Sequence, residues 1–203
     1  MNATTKEPDT RGLAGQTIGE TTICSVGQSH LIYRGYEIAD LAAHATFEEV
    51  SYLLLVGHKP TPQELSAFSD ELSKIRAPHP AVIKHVHQLA NTVPEAHPMG
   101  VLRTAISLLA HYCPVCEDNS PESELAKAKY LLAQIPACIG AHQRGLEGKE
   151  PVEPDTSLSH AGNLLWCLSG ERPGEIATRV MDVSLILYAE HDFNASTFTG
   201  RVI

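Results

Sequence analysis

From Tyr36 onward the apolar positions recur at spacings of three and four, the pattern of helices that bury one face. Glu37 to Ala43 predicts a short helix with Asp40 and His44 outward. Thr46-Phe47-Glu48-Glu49 has the form of a capping box, and the helix it starts ends at Gly57. Thr61-Pro62 is a cap followed by proline at the first helical position, and Leu65, Phe68, Leu72 and Ile75 form the stripe behind it. Ala81 to about Thr92 points Val82, Ile83, Val86 and Leu89 inward. His97-Pro98-Met99 opens the most apolar helix, in which Arg103 is the single charge and needs an anionic partner if buried. Ser120-Pro121 caps a long helix to about Arg144, with kinks expected at Pro136 and Gly140. Gly145 to Thr156 reads as a mobile loop. Leu158 to Leu168 predicts a helix with Trp166 inside, and Glu175 to about Tyr188 a last long one with Ile176, Val180, Val183 and Leu187 on one face.

Only two short runs alternate like strands, Thr21–Val26 and His30–Arg34, with Gly27-Gln28-Ser29 as turn material between them. About ten helices and one N-terminal β-hairpin define an all-α, layered multi-helix fold, and no fixed-period repeat suggests a solenoid. Residues 1–12 read as a disordered or extended tail, and 13–203 as one helical domain.

The formal charge is −9, from 15 basic and 24 acidic residues, and no basic run is present, which argues against nucleic acid and anionic membrane surfaces. No stretch approaches ~20 consecutive apolar residues. The polar Met1–Thr10 lacks the apolar core of a secretory signal, and five scattered cysteines do not suggest a disulfide framework. A cytoplasmic protein with reduced thiols is the expectation.

Few local patterns carry chemistry. Cys113-Pro114-Val115-Cys116 has zinc or dithiol spacing, but no second ligand pair sits nearby and a helix precedes it, so two incidental thiols are expected and no metal. His142, Arg144 and His160 read as solvated surface groups, and Arg34 as one end of a surface or interdomain ion pair. In Ser184–Thr197 an apolar run delivers Glu190-His191-Asp192, and Asn194 then offers to cap another helix. His191 is either an anion contact at a helix junction or a buried histidine bonded between two helices.

The segment Leu185–Thr199, with Tyr188-Ala189-Glu190-His191-Asp192-Phe193-Asn194-Ala195-Ser196-Thr197 at its centre, resembles the His-Glu-x-Asn-Ala-Ser-Thr segment of the citrate synthase family, and most of all its 2-methylcitrate synthase branch. Asp192 stands where Glu is usual. Tyr33-Arg34-Gly35-Tyr36 with Gly12-Leu13-Ala14-Gly15, and His97-Pro98-Met99, match other family segments, so the likeness runs from Gly12 to Ile203. It implies a citrate synthase-like fold, incomplete at the C-terminus, of which this chain is the N-terminal part of the large helical domain. It also implies that His191 binds oxaloacetate and, less directly, that Ser73 contributes to the substrate pocket from the helix that holds Arg76. The implied reaction condenses an acyl-CoA, propionyl-CoA before acetyl-CoA, with oxaloacetate. Acyl-CoA is then a substrate, no separate cofactor is needed, and a homodimer is expected through the helix after His97-Pro98-Met99. The family's base aspartate, enol-stabilising histidine and carboxylate-binding arginines fall beyond Ile203. The chain alone is therefore expected to be inactive, with a separate C-terminal partner chain or a non-catalytic dimerisation module as the other readings.

Overall fold

The computed structural model describes residues 19–27 and 30–202, so the expected tail at 1–12 and the turn residues Gln28 and Ser29 lie outside the described residues. A three-stranded antiparallel sheet comes first, β1 (Cys24–Val26), β2 (Leu31–Tyr33) and β3 (Tyr36–Glu37), in that order. The third strand extends the expected hairpin. It forms because Arg34 and Gly35 both take positive φ, 48° and 90°, the requirement of a two-residue turn joining Tyr33 to Tyr36.

Nine helices follow among the described residues: α1 (Ile38–His44), α2 (Phe47–Val56), α3 (Pro62–Ile75), α4 (Pro80–Thr92), α5 (Pro98–Ala110), α6 (Pro121–Leu146), α7 (His160–Ser169), α8 (Glu175–Leu187) and α9 (Ala195–Val202). Their starts follow from the caps. Thr46 and Thr61 each accept the N–H three residues on, while Glu49 and Glu64 reach back, so both capping boxes are complete. Ser120 caps α6 by accepting the Ser123 N–H, and His79 and His97 each cap a helix that begins at proline by accepting the N–H of Ala81 and of Met99 through Nδ1.

The long helix α6, about 39 Å at 1.5 Å per residue, organises the fold. It is the expected helix, but it runs as one element through Pro136 and Gly140. Neighbours on several sides support it where proline removes one backbone bond, as α3, α4, α5 and α7 all pack on it. Gly140 serves that packing: a Cβ there would run into the carbonyl of Cys167 on α7. One core joins the sheet, α1, α2 and Ile186 of α8 through Tyr33, Leu41, Phe47, Val50 and Leu53. A second joins α4, α5 and α6 through Val82, Val86, Val101, Ala105, Leu109, Cys138 and Ala141, and a third places Phe68 and Leu72 of α3 on Ala133 of α6.

Several expectations are corrected. On α8 the apolar positions expected on one face include the exposed Ile176 (83%) and Val180 (62%) with Val183 half-buried, while Asp182 and Ile186 are the buried residues. Spacing identifies an apolar face without saying which side is covered. Arg103 is exposed and needs no partner, and Trp166 is only partly buried. The segment 147–159 is tied down: Arg144 donates to the carbonyls of Glu150 (2.6 Å) and Ser169 (2.7 Å), Trp166 Nε1 donates to Glu153 (2.8 Å), and Arg76 donates to Asp155 (2.6 Å) and Leu158 (3.0 Å). His142 and His160 are buried at 8% and 7% exposure rather than solvated. No helix among the described residues is long and apolar enough to cross a membrane.

Candidate functional site

The residues around His191 form a turn between α8 and α9, and the local sequence explains its path. α8 ends at Leu187, and Tyr188 and Ala189 close its last turn through bonds to the carbonyls of Ser184 and Ile186. Asp192 then takes φ 60°, a left-handed conformation that aspartate tolerates better than most residues. Asn194 starts α9: its side-chain oxygen accepts the Thr197 N–H at 2.9 Å and its carbonyl accepts that of Phe198 at 2.9 Å. Asp192 therefore does not compete for the cap, and its carbonyl instead accepts the Asn194 N–H at 2.8 Å.

Between the helices the backbone is pinned. The carboxylate of Glu190 accepts the N–H of His191 (3.1 Å) and of Asp192 (2.6 Å) through one oxygen. The fully buried Tyr33 accepts the Glu190 N–H at 3.2 Å and donates its hydroxyl to the Glu190 carbonyl at 3.0 Å. Burial pushes the Tyr33 phenol up, and burial with the nearby Glu190 and Asp192 carboxylates pushes the Cys24 thiol up, so both stay neutral at ordinary pH.

His191 itself is exposed. That removes the buried, helix-bridging reading and leaves an imidazole whose backbone is fixed and whose ring faces outward. Such a ring can donate a hydrogen bond to a carbonyl or carboxylate oxygen, close to the start of a helix, where N–H groups lack intrahelical acceptors. Beside the turn is a hollow of about 320 Å³ whose wall includes Glu190, Asp192, Arg34 and Arg201. Among the described residues Arg34 makes no ion pair; it donates to the Thr22 hydroxyl (3.0 Å) and to the Leu54 carbonyl on α2 (3.3 Å).

Ser73 lies elsewhere. It is half-buried on α3, its hydroxyl donates to the Asp70 carbonyl at 3.0 Å, and it lines a polar hollow of about 150 Å³ with Glu48, Arg76 and His160. The described contacts do not bring it to His191. That second hollow holds the charged interior of the chain. Glu48 accepts the His160 N–H at 2.7 Å, and the His160 ring rests 5.0 Å from Phe47. Burial, with the Arg76 charge adding to it, pushes the His160 imidazole down to about 4, and burial pushes the Glu48 carboxyl up. Cys113 and Cys116 are free and half-buried, and no group of three or more His, Cys, Asp or Glu suited to a metal occurs among the described residues. Sequence reasoning missed Tyr33 and Glu190 as the fixtures of the turn. The only signal for Tyr33 was its place in the Tyr33–Tyr36 element, and nothing local ties it to residue 190.

The described residues define the class of protein as a layered helical fold with a small antiparallel sheet. The model of the family described as citrate synthase, C-terminal domain, matches residues 12–203, and the chain belongs to the citrate synthase family. It is 41% identical over 197 residues to the citrate synthase of Haloferax volcanii, covering 95% of this chain and 52% of that protein. It is 43% identical over 194 residues to the 2-methylcitrate synthase of Shewanella oneidensis, covering 94% and 50%. Among solved structures, citrate synthase from Pyrobaculum aerophilum superposes with a TM-score of 0.82 at 36% identity, covering 92% of this chain and 48% of that one. The ternary complex of Thermoplasma acidophilum citrate synthase with carboxymethyl coenzyme A and oxaloacetate gives a TM-score of 0.86 at 26% identity, covering 97% and 51%. The chain spans about half the length of the curated relatives it matches.

Proposed function

We propose that this chain supplies the oxaloacetate-facing part of an acyltransferase that condenses an acyl-CoA with oxaloacetate, releasing coenzyme A. Propionyl-CoA, giving 2-methylcitrate, is the favoured donor, and acetyl-CoA, giving citrate, is the alternative; relatives bearing both names support the pair. The observation that carries the reading is the exposed His191 ring on a turn whose backbone is held on both sides. In the condensation the attacked ketone must be polarised as negative charge builds on its oxygen, and a donor held at a fixed point does this without reorganising. We assign that donor, or the donor to a substrate carboxylate, to His191. Ser73 is a secondary assignment that rests on its position in the family pattern. No residue of this chain is assigned as the base that deprotonates the acyl group, a step every such condensation needs. α5, with Met99 63% exposed, is proposed to face a second copy in a homodimer, and the enzyme to work in the cytoplasm.

The test is to mix the chain with the C-terminal half of a 2-methylcitrate synthase relative and follow thiol release from both acyl-CoAs. Activity is expected only in the mixture and faster with propionyl-CoA. His191→Ala is expected to lower it by about 10²- to 10³-fold, the scale of one oxyanion donor. An active mixture indifferent to His191→Ala would remove the assigned role, and silence in every mixture would support the dimerisation module instead.

A further inference from the structure

One side chain far from the helical motif holds the turn that presents His191. Tyr33, at the end of β2, is fully buried, and its hydroxyl closes on both backbone groups of a single residue, Glu190. Glu190 in turn passes the constraint on, since its carboxylate holds the N–H groups of His191 and Asp192. Asp192 at φ 60° marks a sharp change of chain direction that aspartate tolerates, and the bonds through Glu190 and Tyr33 fix the backbone on its N-terminal side.

We infer that Tyr33 is a positioning residue for His191, acting through Glu190 and never touching substrate; this rests on the reading of His191 as the oxaloacetate contact. The sheet gives the phenol its place. Tyr33 pairs with Cys24 of β1 and with Tyr36 across the Arg34-Gly35 turn, and its ring belongs to the core with Leu41, Phe47 and Ile186. Phenylalanine would keep that packing and remove only the hydroxyl. The Glu190 N–H and carbonyl would then lose their partner in a half-buried place, and the backbone would turn to find others, carrying the histidine with it. In this reading the small N-terminal sheet belongs to the substrate site.

The experiment uses the 203-residue chain uniformly labelled with nitrogen-15, comparing Tyr33→Phe with Tyr36→Phe, a residue 40% exposed whose ring lies under Lys59. Amide exchange at Glu190, His191 and Asp192 is expected to quicken about tenfold in Tyr33→Phe, the scale of one or two lost hydrogen bonds, while α2 amides match the control. Oxaloacetate titrated against the His191 ring resonance is expected to bind about tenfold more weakly in Tyr33→Phe and unchanged in Tyr36→Phe. Exchange at 190–192 that stays as in the parent chain, or that rises equally across the molecule, overturns the inference. Should oxaloacetate leave the His191 ring of the parent chain unshifted, the substrate reading falls by itself. The exchange pattern then still decides whether Tyr33 holds the turn.

Discussion

His160 and His191 are the same residue in opposite circumstances. The first opens α7 with its ring against Phe47 and its N–H on Glu48, and burial has pushed its imidazole down to about 4. The second lies in the open between α8 and α9 and is held through its backbone by Glu190. At His160 the surroundings fix the ring and suppress its protonation, so its contribution is to packing. At His191 the surroundings fix the main chain and leave the ring to meet something else. A histidine beside an apolar run is therefore read by what its neighbours hold, the ring or the backbone.

The comparison breaks hardest if the interior around His160 tolerates change. Gly140 on α6 lies against the Cys167 carbonyl on α7, the helix that His160 begins, and neither backbone can yield as a flexible side chain could. Gly140→Val is expected to cost about 3 kcal/mol or more in denaturant unfolding, the upper part of the range for overpacking. A loss below about 1 kcal/mol would mean that the two helices slide apart freely and that the interior is not the rigid member of the pair. Next in size, His160→Ala removes a buried ring and leaves a gap against Phe47, and about 2 kcal/mol of destabilisation is expected.

Acid sharpens the contrast. His160 titrates lower in the folded chain than in the unfolded one, so the unfolded state takes up its proton first. Its contribution is intact above about 6.5 and is lost as pH falls from there through about 4. Glu48, whose carboxyl is raised mainly by burial, works the other way and returns part of that loss as it protonates. The ceiling for the histidine is about 3 kcal/mol, reduced by the opposite contribution of the carboxyl. Unfolding free energies measured from pH 7 to 4 should fall by less than that ceiling in the parent chain, and the fall should be smaller still in His160→Phe. Equal slopes in the two would show that His160 is not the group being titrated.

How far the sequence disclosed this follows from the range of each interaction. Caps act over three residues, so Thr46 with Glu49 and Thr61 with Glu64 were legible as written. Apolar spacing located α3 and α4 with their buried sides, Phe68 and Leu72, Val82 and Val86. The role proposed for His191 came from resemblance, since spacing alone favoured a buried bridge. Burial of His142 and His160 was not legible, because it depends on which helices cross there. The straps on 147–159 were hidden for the same reason: Arg76 and Trp166 reach the loop from α3's end and from α7. The outward face of α8 shows the limit most plainly, as Ile176 and Val180 have core spacing and no cover among the described residues.

The smallest expected effect is on stability at His191, and it bears most directly on the comparison. His191→Ala takes away an exposed ring and keeps the backbone N–H that Glu190 accepts, so the turn retains each of its bonds to Glu190 and Tyr33. Nothing is left buried and unpaired, and no cavity forms. Unfolding free energy should stay within about 0.5 kcal/mol of the parent, the range for surface changes away from special features. Oxaloacetate binding, followed on the same sample by titration calorimetry, should meanwhile be lost. Stability and binding falling together would place the ring inside the packing, as at His160, and the distinction between a ring that is held and a ring that is offered would no longer stand.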